Sequence, residues 1–429
     1  MSSSRSRRNR HGGFHPARRD AGLVAAGLVV LAVVSLLIVQ AHRATASSAG
    51  DAAAARPAAS ATSIQMLTNA DTADNTATNT SSNSDSTSNK SSNTEASRPT
   101  IDQVARPWQP GQPELGIDVY WAVDPGESAA TVSAKIHATV DDVVGYGANW
   151  ISISFPYATT GVTSDRLFAD PSMTPTLTEL GALVTVAKQA GLRVGLRPLL
   201  DGHALQLDDP KAWRGTIAPA DVPAWFASYA QFLTPYAQLA QSVGVDAFYV
   251  STELTSMEQY TSDWAAITRK LAAIYTGRLV SSVNYDRLPA DTPRIPDTSL
   301  SVDAYSPIPT AAPDASVAEL VDGWNQWLDQ YPASALDDLQ FAEVGIVPQD
   351  GAYQAPYTWN ASSGTDPAIQ INWYTAACEV AQTRHLEGIY WWYLNLENTA
   401  GQASGSDPMD ILDAPGAKEI ANCFATYPR

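Results

Sequence analysis

The chain has 429 residues and a net charge of −18 at pH 7, enough for one large domain or two or three ordinary ones. The charge is uneven: residues 1–43 hold seven Arg and one acid, Asp20, so 19 basic and 43 acidic residues follow, a net of −24. An acidic body excludes nucleic acid as the expected partner, because phosphate binding draws on Lys and Arg. Two cysteines at no metal-ligand spacing, and six His of which three lie in or beside the N-terminal segment, leave no metal or cofactor to expect.

Residues 1–20 are polar and basic, with Arg5, Arg7, Arg8, Arg10, Arg18 and Arg19. Ala21 to Val39 is then uninterrupted apolar sequence, close to the roughly 20 residues that span a bilayer. The preceding Arg cluster predicts a cytoplasmic tail over 1–20, a transmembrane signal anchor over 21–41 and the remainder outside the cell. A cleaved signal peptide competes, since Ala44-Thr45-Ala46 fits the small-residue cleavage pattern. Its apolar core is usually about 7–15 residues, shorter than this one. Either way the body of the chain is exported. Residues 42–105 are mostly Ala, Ser, Thr, Asn and Asp, too poor in large apolar groups to offset ordering entropy, so a disordered linker is expected.

From 106 onward a strand–helix alternation begins and runs to 429. Leu115–Trp121 reads as a first strand, followed by a helical stripe of Val132, Ile136, Val140 and Val143. Trp150–Pro156 is the second strand, Leu177, Leu180, Leu183 and Ala187 the next helix, and Arg193–Leu200 the third strand. Trp225, Tyr229, Phe232, Tyr236, Leu239 and Val243 then recur at spacings of three and four, one apolar stripe closed by Gly244. Ala247–Leu254 is the fourth strand, Trp264 to Ile274 a helix, and Arg278–Asn284 the fifth, followed by a Pro- and Asp-rich connection with little helix. Ser299–Pro307, Leu339–Ile346 and Leu386–Asn395 complete the strands, with helices over 317–328, 369–380 and 414–427. Eight strands alternating with helices predict a (β/α)8 barrel, an α/β fold. An open doubly wound sheet is the runner-up. It would want a Gly-rich turn after the first strand, where Trp121-Ala122-Val123-Asp124-Pro125-Gly126 has a single Gly. Cys378 and Cys423 fall on the last two helices, neighbours in a barrel, so a disulfide is expected in an oxidising compartment; two buried thiols are the alternative.

In such a barrel the active site is built from the C-terminal strand ends. Those ends carry Asp118, Tyr120, Trp121, Arg197, Asp201, Thr252, Glu253, Asn284, Asp303, Tyr305, Glu343, Trp391 and Trp392. The set is rich in carboxylates and aromatics, with no Ser/His/Asp triad and no Lys for a Schiff base. Glu253 and Glu343 end the fourth and seventh strands, which lie across a barrel from each other. Paired carboxylates suit glycoside hydrolysis, one protonated to release the leaving oxygen and one ionised to attack the anomeric carbon, about 5–5.5 Å apart for retention. The plainer reading pairs either Glu with an Arg such as Arg197. The twelve Trp and seventeen Tyr fit stacking on sugar rings and fit the core of a large barrel equally well.

Several stretches resemble glycoside hydrolase family 113, whose known activity is on β-1,4-mannans. They are Leu196-Arg197-Pro198-Leu199-Leu200-Asp201, Trp213-Arg214-Gly215, Ser251-Thr252-Glu253-Leu254, Asp303-Ala304-Tyr305-Ser306-Pro307, Phe341-Ala342-Glu343-Val344-Gly345 and Gly388-Ile389-Tyr390-Trp391-Trp392. The likeness spans roughly 115–425. It implies a retaining hydrolase needing no cofactor, with Glu253 as acid/base and Glu343 as nucleophile. It further implies Tyr305 hydrogen-bonded to the nucleophile and Trp391 or Trp392 flooring a sugar subsite. Substrate contacts are expected from Trp121, Arg197, Asp201, Thr252, Asn284, Tyr305, Trp391 and Trp392, with a β-linked polysaccharide or oligosaccharide as partner and the membrane as anchor. Two departures bear on the sugar. Thr252 stands where many relatives in the wider group have Asn, and Arg197-Pro198-Leu199 stands where the family favours Lys-Pro-His. A catalytically inactive barrel that binds envelope glycan, and a membrane-tethered structural protein, are the alternatives.

Overall fold

The computed structural model describes residues 101–288, 292–336, 338–358, 364–398 and 407–428. In chain order the elements are β1 (Glu114–Tyr120), α1 (Ala129–Gly145), β2 (Trp150–Thr159), β3 (Leu167–Phe168), α2 (Leu177–Gln189), β4 (Arg193–Leu200), α3 (His203–Asp208) and α4 (Val222–Val243). There follow β5 (Ala247–Thr252), α5 (Thr261–Ala272), β6 (Arg278–Asn284), β7 (Ser299–Asp303), α6 (Val317–Leu328), α7 (Ala333–Leu336), β8 (Gln340–Val344), α8 (Pro367–Thr383), β9 (Gly388–Asn395) and α9 (Ala417–Thr426). Eight strands pair in parallel in the order β1-β2-β4-β5-β6-β7-β8-β9, and β9 pairs back onto β1. That closure makes a (β/α)8 barrel and removes the open sheet. The short β3, not expected from sequence, folds antiparallel onto the end of β2, so the fourth and seventh barrel strands are β5 and β8.

The helices form where apolar periodicity and end signals agree. Helix α4 starts at Asp221, whose side chain accepts the Ala224 N–H, and stops at Gly244 in a left-handed conformation, φ 72°. Its stripe of Trp225, Phe226, Tyr229, Phe232 and Tyr236 is buried. Phe232 meets Tyr157 of β2 at 4.5 Å between ring centroids, and the Tyr229 hydroxyl donates to the Val250 carbonyl of β5. These aromatics hold helix to sheet. Helices α2 and α6 each begin with a reciprocal capping box, Thr176 with Glu179 and Ser316 with Glu319. Cys378 of α8 and Cys423 of α9 form the expected disulfide, with Cα atoms 5.7 Å apart.

Inside the barrel Trp150, Ala247, Tyr249, Val280, Ala342 and Tyr390 form a packed plug. Gly116 is needed there, since a Cβ at that position would lie 2.0 Å from the Tyr390 ring. The expected linker boundary at 105 moves. Val104 is buried and its N–H bonds the Ala190 carbonyl at the end of α2, so the packed domain already includes Ile101 to Ala105. The expected tail 1–20, the anchor 21–41 and the linker up to residue 100 lie outside the described residues. Among the described residues no helix is long and apolar enough to cross a membrane.

Candidate active site

Strand alternation alone would not gather this site; bulges do. Ala342 belongs to the interior plug, so its neighbour Glu343 should point outward. The register of β8 slips against both neighbours at this place, between Val302 and Asp303 on one side and between Phe341 and Val344 on the other. The slip turns Glu343 inward as well, the re-aiming that bulges provide near active sites. A second slip lies between Tyr249 and Ser251 of β5. It allows Tyr249 and Thr252, three residues apart, both to face Arg197. Glu253 would then face out, but its backbone is left-handed at φ 53°. That conformation is costly for a residue with a Cβ, and it swings the side chain back to the mouth.

Arg197 stands at the centre, fully buried on β4. Its Nη2 donates to both oxygens of Asp303, at 2.8 and 2.9 Å. Its Nη1 lies 2.6 Å from Glu343 Oε1 and 3.7 Å from Asp118 Oδ1. Its guanidinium also lies 5.3 Å from the Tyr249 ring centroid and 5.9 Å from that of Trp392. Ser282 Oγ donates to Asp303 at 2.6 Å, and Tyr305 Oη donates to Glu343 Oε2 at 2.8 Å. One cation thus faces three carboxylates in a site closed to water. Burial pushes Asp118 and Asp303 well above the ordinary carboxylate range; Arg197 opposes this and the charge of Glu343 adds to it. Burial raises Glu343 too, against Arg197 and the Tyr305 hydrogen bond, while the charge of Glu253 pushes it further up. Desolvation alone would lower the Arg197 pKa; its three acidic neighbours reverse that and keep it charged. Burial and the charge of Glu343 raise the Tyr305 hydroxyl, which stays a donor.

Glu253 is held from another direction. Arg214, in the 3-10 turn Arg214–Thr216, donates Nη1 to Glu253 Oε2 at 2.7 Å and Nε to the Leu200 carbonyl at 3.1 Å. The Glu253 N–H bonds the Ser282 carbonyl of β6. Both glutamates are nearly closed to solvent, 7% exposed for Glu253 and 4% for Glu343.

The other expected residues divide by side. Thr252 accepts from Arg197 Nε at 3.4 Å, so its hydroxyl is already engaged. Trp392 points into the mouth toward Arg197 and Tyr120, and the Trp392–Tyr393 peptide is cis. Trp391, one residue earlier, faces the helix layer and packs on Tyr374 of α8 at 4.9 Å, so of the two tryptophans only Trp392 lies over the cluster. Trp121 follows Tyr120 and takes the opposite side. It donates Nε1 to Glu397 and lines a cavity of about 700 Å³ between the β1–α1 and β3–α2 connections and α4, apart from the Arg197 cluster. Asp201 accepts the His203 N–H at the start of α3, and its charge still acts on the Tyr120 hydroxyl. Asn284 turns to Asp286. Sequence reasoning assigned no role to Arg214, Tyr249 or Ser282. Tyr249 and Ser282 look like ordinary strand residues, and Arg214 was visible only as part of Trp213-Arg214-Gly215. Two exposed-side aromatics, Tyr285 and Tyr357, stack at 6.1 Å and 4° after β6 and β8. Among the described residues no group of His, Cys, Asp and Glu side chains is arranged to hold a metal ion.

The likeness to known proteins agrees with this geometry. The family model for Glycoside Hydrolase Family 113 matches residues 125–408. No curated protein matches the chain. Among solved structures, a GH113 β-1,4-mannanase complex superposes with a TM-score of 0.62 at 18% identity, covering 73% of this chain and 99% of that one. The GH113 β-mannanase AaManA from Alicyclobacillus acidocaldarius, in complex with ManMIm, gives 0.61 at 20% identity, covering 74% and 98%. At these identities the superpositions speak for the barrel, and the family match, which spans most of the packed domain, speaks for its membership. The chain belongs to Glycoside Hydrolase Family 113 and is a glycoside hydrolase.

Proposed function

We propose that this hydrolase cleaves a β-linked, mannan-like polysaccharide or oligosaccharide with retention of configuration. Glu343 attacks the anomeric carbon and forms the glycosyl-enzyme bond, while Glu253 delivers its proton to the departing oxygen. Water then attacks the same carbon, its proton returns to Glu253, and the bond to Glu343 breaks. The observation that carries this reading is the pair of buried glutamates at the mouth, each fixed by a different arginine and close enough for the charge of Glu253 to act on Glu343. Glu343 does pair with Arg197, as a purely structural role would have it. That pairing leaves the pocket short of positive charge, because Asp303 and Asp118 share the same cation. A stability device would balance its charges; a nucleophile needs a carboxylate held in place without being fully neutralised. Trp392 over the cluster supports a sugar floor, and the likeness to β-mannanases supports the choice of mannan.

The test is reducing-sugar release from a panel of β-mannans and β-glucans by wild type, Glu343→Gln and Glu253→Gln, with the first products' anomers followed by NMR. Loss on the order of 10⁴-fold or more is expected for Glu343→Gln, and about 10²–10⁴-fold for Glu253→Gln. Equal activity in all three, or an inverted anomer, sinks the mechanism. Cleavage of glucan without mannan keeps it and discards the substrate. Because burial raises Glu343, the acid limb of kcat/KM is expected above the ordinary glutamate value of 4.5.

The Arg-rich head and the apolar run Ala21–Val39 support an enzyme anchored in the membrane with its barrel outside the cell. The Cys378–Cys423 disulfide supports the same side. Protease added to intact cells should release the barrel; protection until lysis would overturn this, and a soluble barrel in the medium would favour signal cleavage.

A further inference from the structure

We infer that Arg214 is a positioning residue for proton delivery: it fixes one oxygen of Glu253 so that the other can protonate the leaving group. The inference rests on the two-glutamate reading above and adds to it a residue outside the strand ends. Glu253 needs such a device. It sits one residue beyond β5 with a left-handed backbone, so neither strand alternation nor packing in the plug sets its side chain. Among the described residues Arg214 is the one side chain that hydrogen-bonds its carboxyl. Arg214 reaches it as a strut. Nε is anchored on the Leu200 carbonyl at the end of β4, and Nη1 grips Oε2, leaving Oε1 to carry the proton.

The turn that carries Arg214 is itself fixed. The Trp213 indole folds over Gly215 so closely that a Cβ there would come within 2.4 Å of the ring. Thr216 Oγ1 takes the Trp213 N–H. Ser256 Oγ, in the turn just after Glu253, donates to the Ile217 carbonyl at 2.6 Å, which ties the two turns together. Arg214 is still 23% exposed, so it borders the space a substrate enters, whereas Arg197 below it is closed off. The two arginines therefore divide the work: Arg197 serves the nucleophile from beneath, and Arg214 serves the acid from the rim. In the first step the proton leaves Oε1 for the glycosidic oxygen, the carbon–oxygen bond breaks with its electron pair going to that oxygen, and Glu343 closes the new bond. The side chain of Arg214 exchanges no proton; it keeps Oε1 on line.

Leaving-group dependence tests this, because a dinitrophenolate leaves without being protonated. Arg214→Ala is compared with wild type on mannohexaose and on 2,4-dinitrophenyl β-mannobioside, reading kcat/KM for each. The expected result is a loss of about 10²–10³-fold on the oligosaccharide, in the range of a general acid taken out of position, and less than about fivefold on the aryl glycoside. Arg214→Lys, which keeps the charge but cannot bridge both acceptors, should show the same split more weakly. Equal losses on both substrates would make Arg214 a structural or binding residue, and no loss on either would make it idle; each overturns the inference. If Arg214→Ala does not fold, Arg214→Gln and Arg214→Lys are read by the same criterion. Glu343→Gln is run alongside. If it still cleaves the aryl glycoside, the two-glutamate mechanism has failed. If it is inactive while Arg214→Ala loses both substrates equally, only the role of Arg214 has failed.

Discussion

The two ends of this barrel both set arginine among carboxylates and aromatic rings, yet they are built on different accounts of charge. At the base, Arg278 pairs with Glu114 at 2.8 Å, and Lys188 and Arg193 pair with Asp246 at 2.8 and 3.0 Å. The Tyr390 hydroxyl completes Glu114 at 2.5 Å, and the guanidiniums of Arg193 and Arg278 lie over Trp150. Three cations pair with two hydrogen-bonded carboxylates there, and Glu387 stands beside them, its pKa raised by burial and by the charges of Asp338 and Glu114, so cations and carboxylates match in number. At the mouth, Arg197 and Arg214 meet Asp118, Asp303, Glu343 and Glu253. Four carboxylates share two cations there, and Asp118, at 3.7 Å from Arg197, is the most weakly paired of them. Buried polar groups are normally satisfied. An excess of buried carboxylates over cations is costly, and such perturbed groups cluster where chemistry needs them. On the reading proposed above, the base is a clamp and the mouth is the reactive site, although a count of ion pairs alone would not tell them apart.

Removing the central arginine at each end puts this difference to the hardest test. Arg197→Met leaves three carboxylates buried without a cation. A stability loss of about 3–5 kcal/mol is expected, as for other broken buried pairs, with activity falling by roughly 10³-fold or more as Glu343 loses its ion pair. Arg278→Met leaves Glu114 with its Tyr390 hydrogen bond, so about 1.5–3 kcal/mol is expected and kcat/KM should stay within twofold. Urea unfolding and initial rates on the active glycan measure both. Comparable activity losses at the two ends would erase the distinction.

Much of this was legible in the sequence, and the exceptions share a cause. Eight apolar strands between amphipathic helices declare a barrel, and carboxylates at their ends declare where to look. Glu253, Glu343 and Asp303 were visible there because position along a strand is written in the sequence. Facing is not, once a bulge intervenes. Tyr390-Trp391-Trp392 must place one tryptophan inside and one outside, but which is which depends on the register of β9 against β1 and β8. Tyr249 reaches Arg197 only because β5 slips before Ser251. Arg214 was hidden for another reason. It comes from a turn between α3 and α4, 39 residues before the glutamate it holds, and no local period links the two. The strand β3 was missed because two residues carry too little pattern to show.

The disulfide sharpens the comparison with a smaller effect. Cys378 and Cys423 close a loop of 45 residues between α8 and α9. Gln382 of α8 and Tyr427, just after α9, line the base cavity beside them. Chain entropy predicts up to about 4 kcal/mol for a loop of that length, and 2–4 kcal/mol is typical. Cys378→Ala with Cys423→Ala should therefore lower the denaturation midpoint while leaving kcat/KM at the mouth unchanged. A matching fall in kcat/KM below the unfolding range would show that the base and the mouth are not separable.

The smallest effect expected carries the most information, because its sign is opposite to that of ordinary mutations. Asp118 is fully buried and lies 3.7 Å from Arg197, the longest of the Arg197 ion pairs, with only Ser152 beside it to lower its pKa further. Its carboxyl is held well above 3.8 by burial. A carboxyl raised in the folded state binds more protons there than when unfolded. Its contribution to stability is fully present below the unfolded pKa, and it is lost as pH rises through the folded one. Asp118→Asn keeps the shape and removes the titration. At pH 7 the variant should be more stable than wild type by roughly 1–3 kcal/mol, the cost of a buried polar group short of partners, and the gain should vanish by about pH 3, below the unfolded pKa of about 3.9, where Asp118 is protonated in both states. The base offers the control: Glu114→Gln breaks a satisfied ion pair, so it should destabilise at pH 7. Urea midpoints at pH 3, 5 and 7 read both slopes. If Asp118→Asn destabilises at pH 7 as Glu114→Gln does, the mouth is balanced after all, and the excess of carboxylate that marks it as a reactive site is lost.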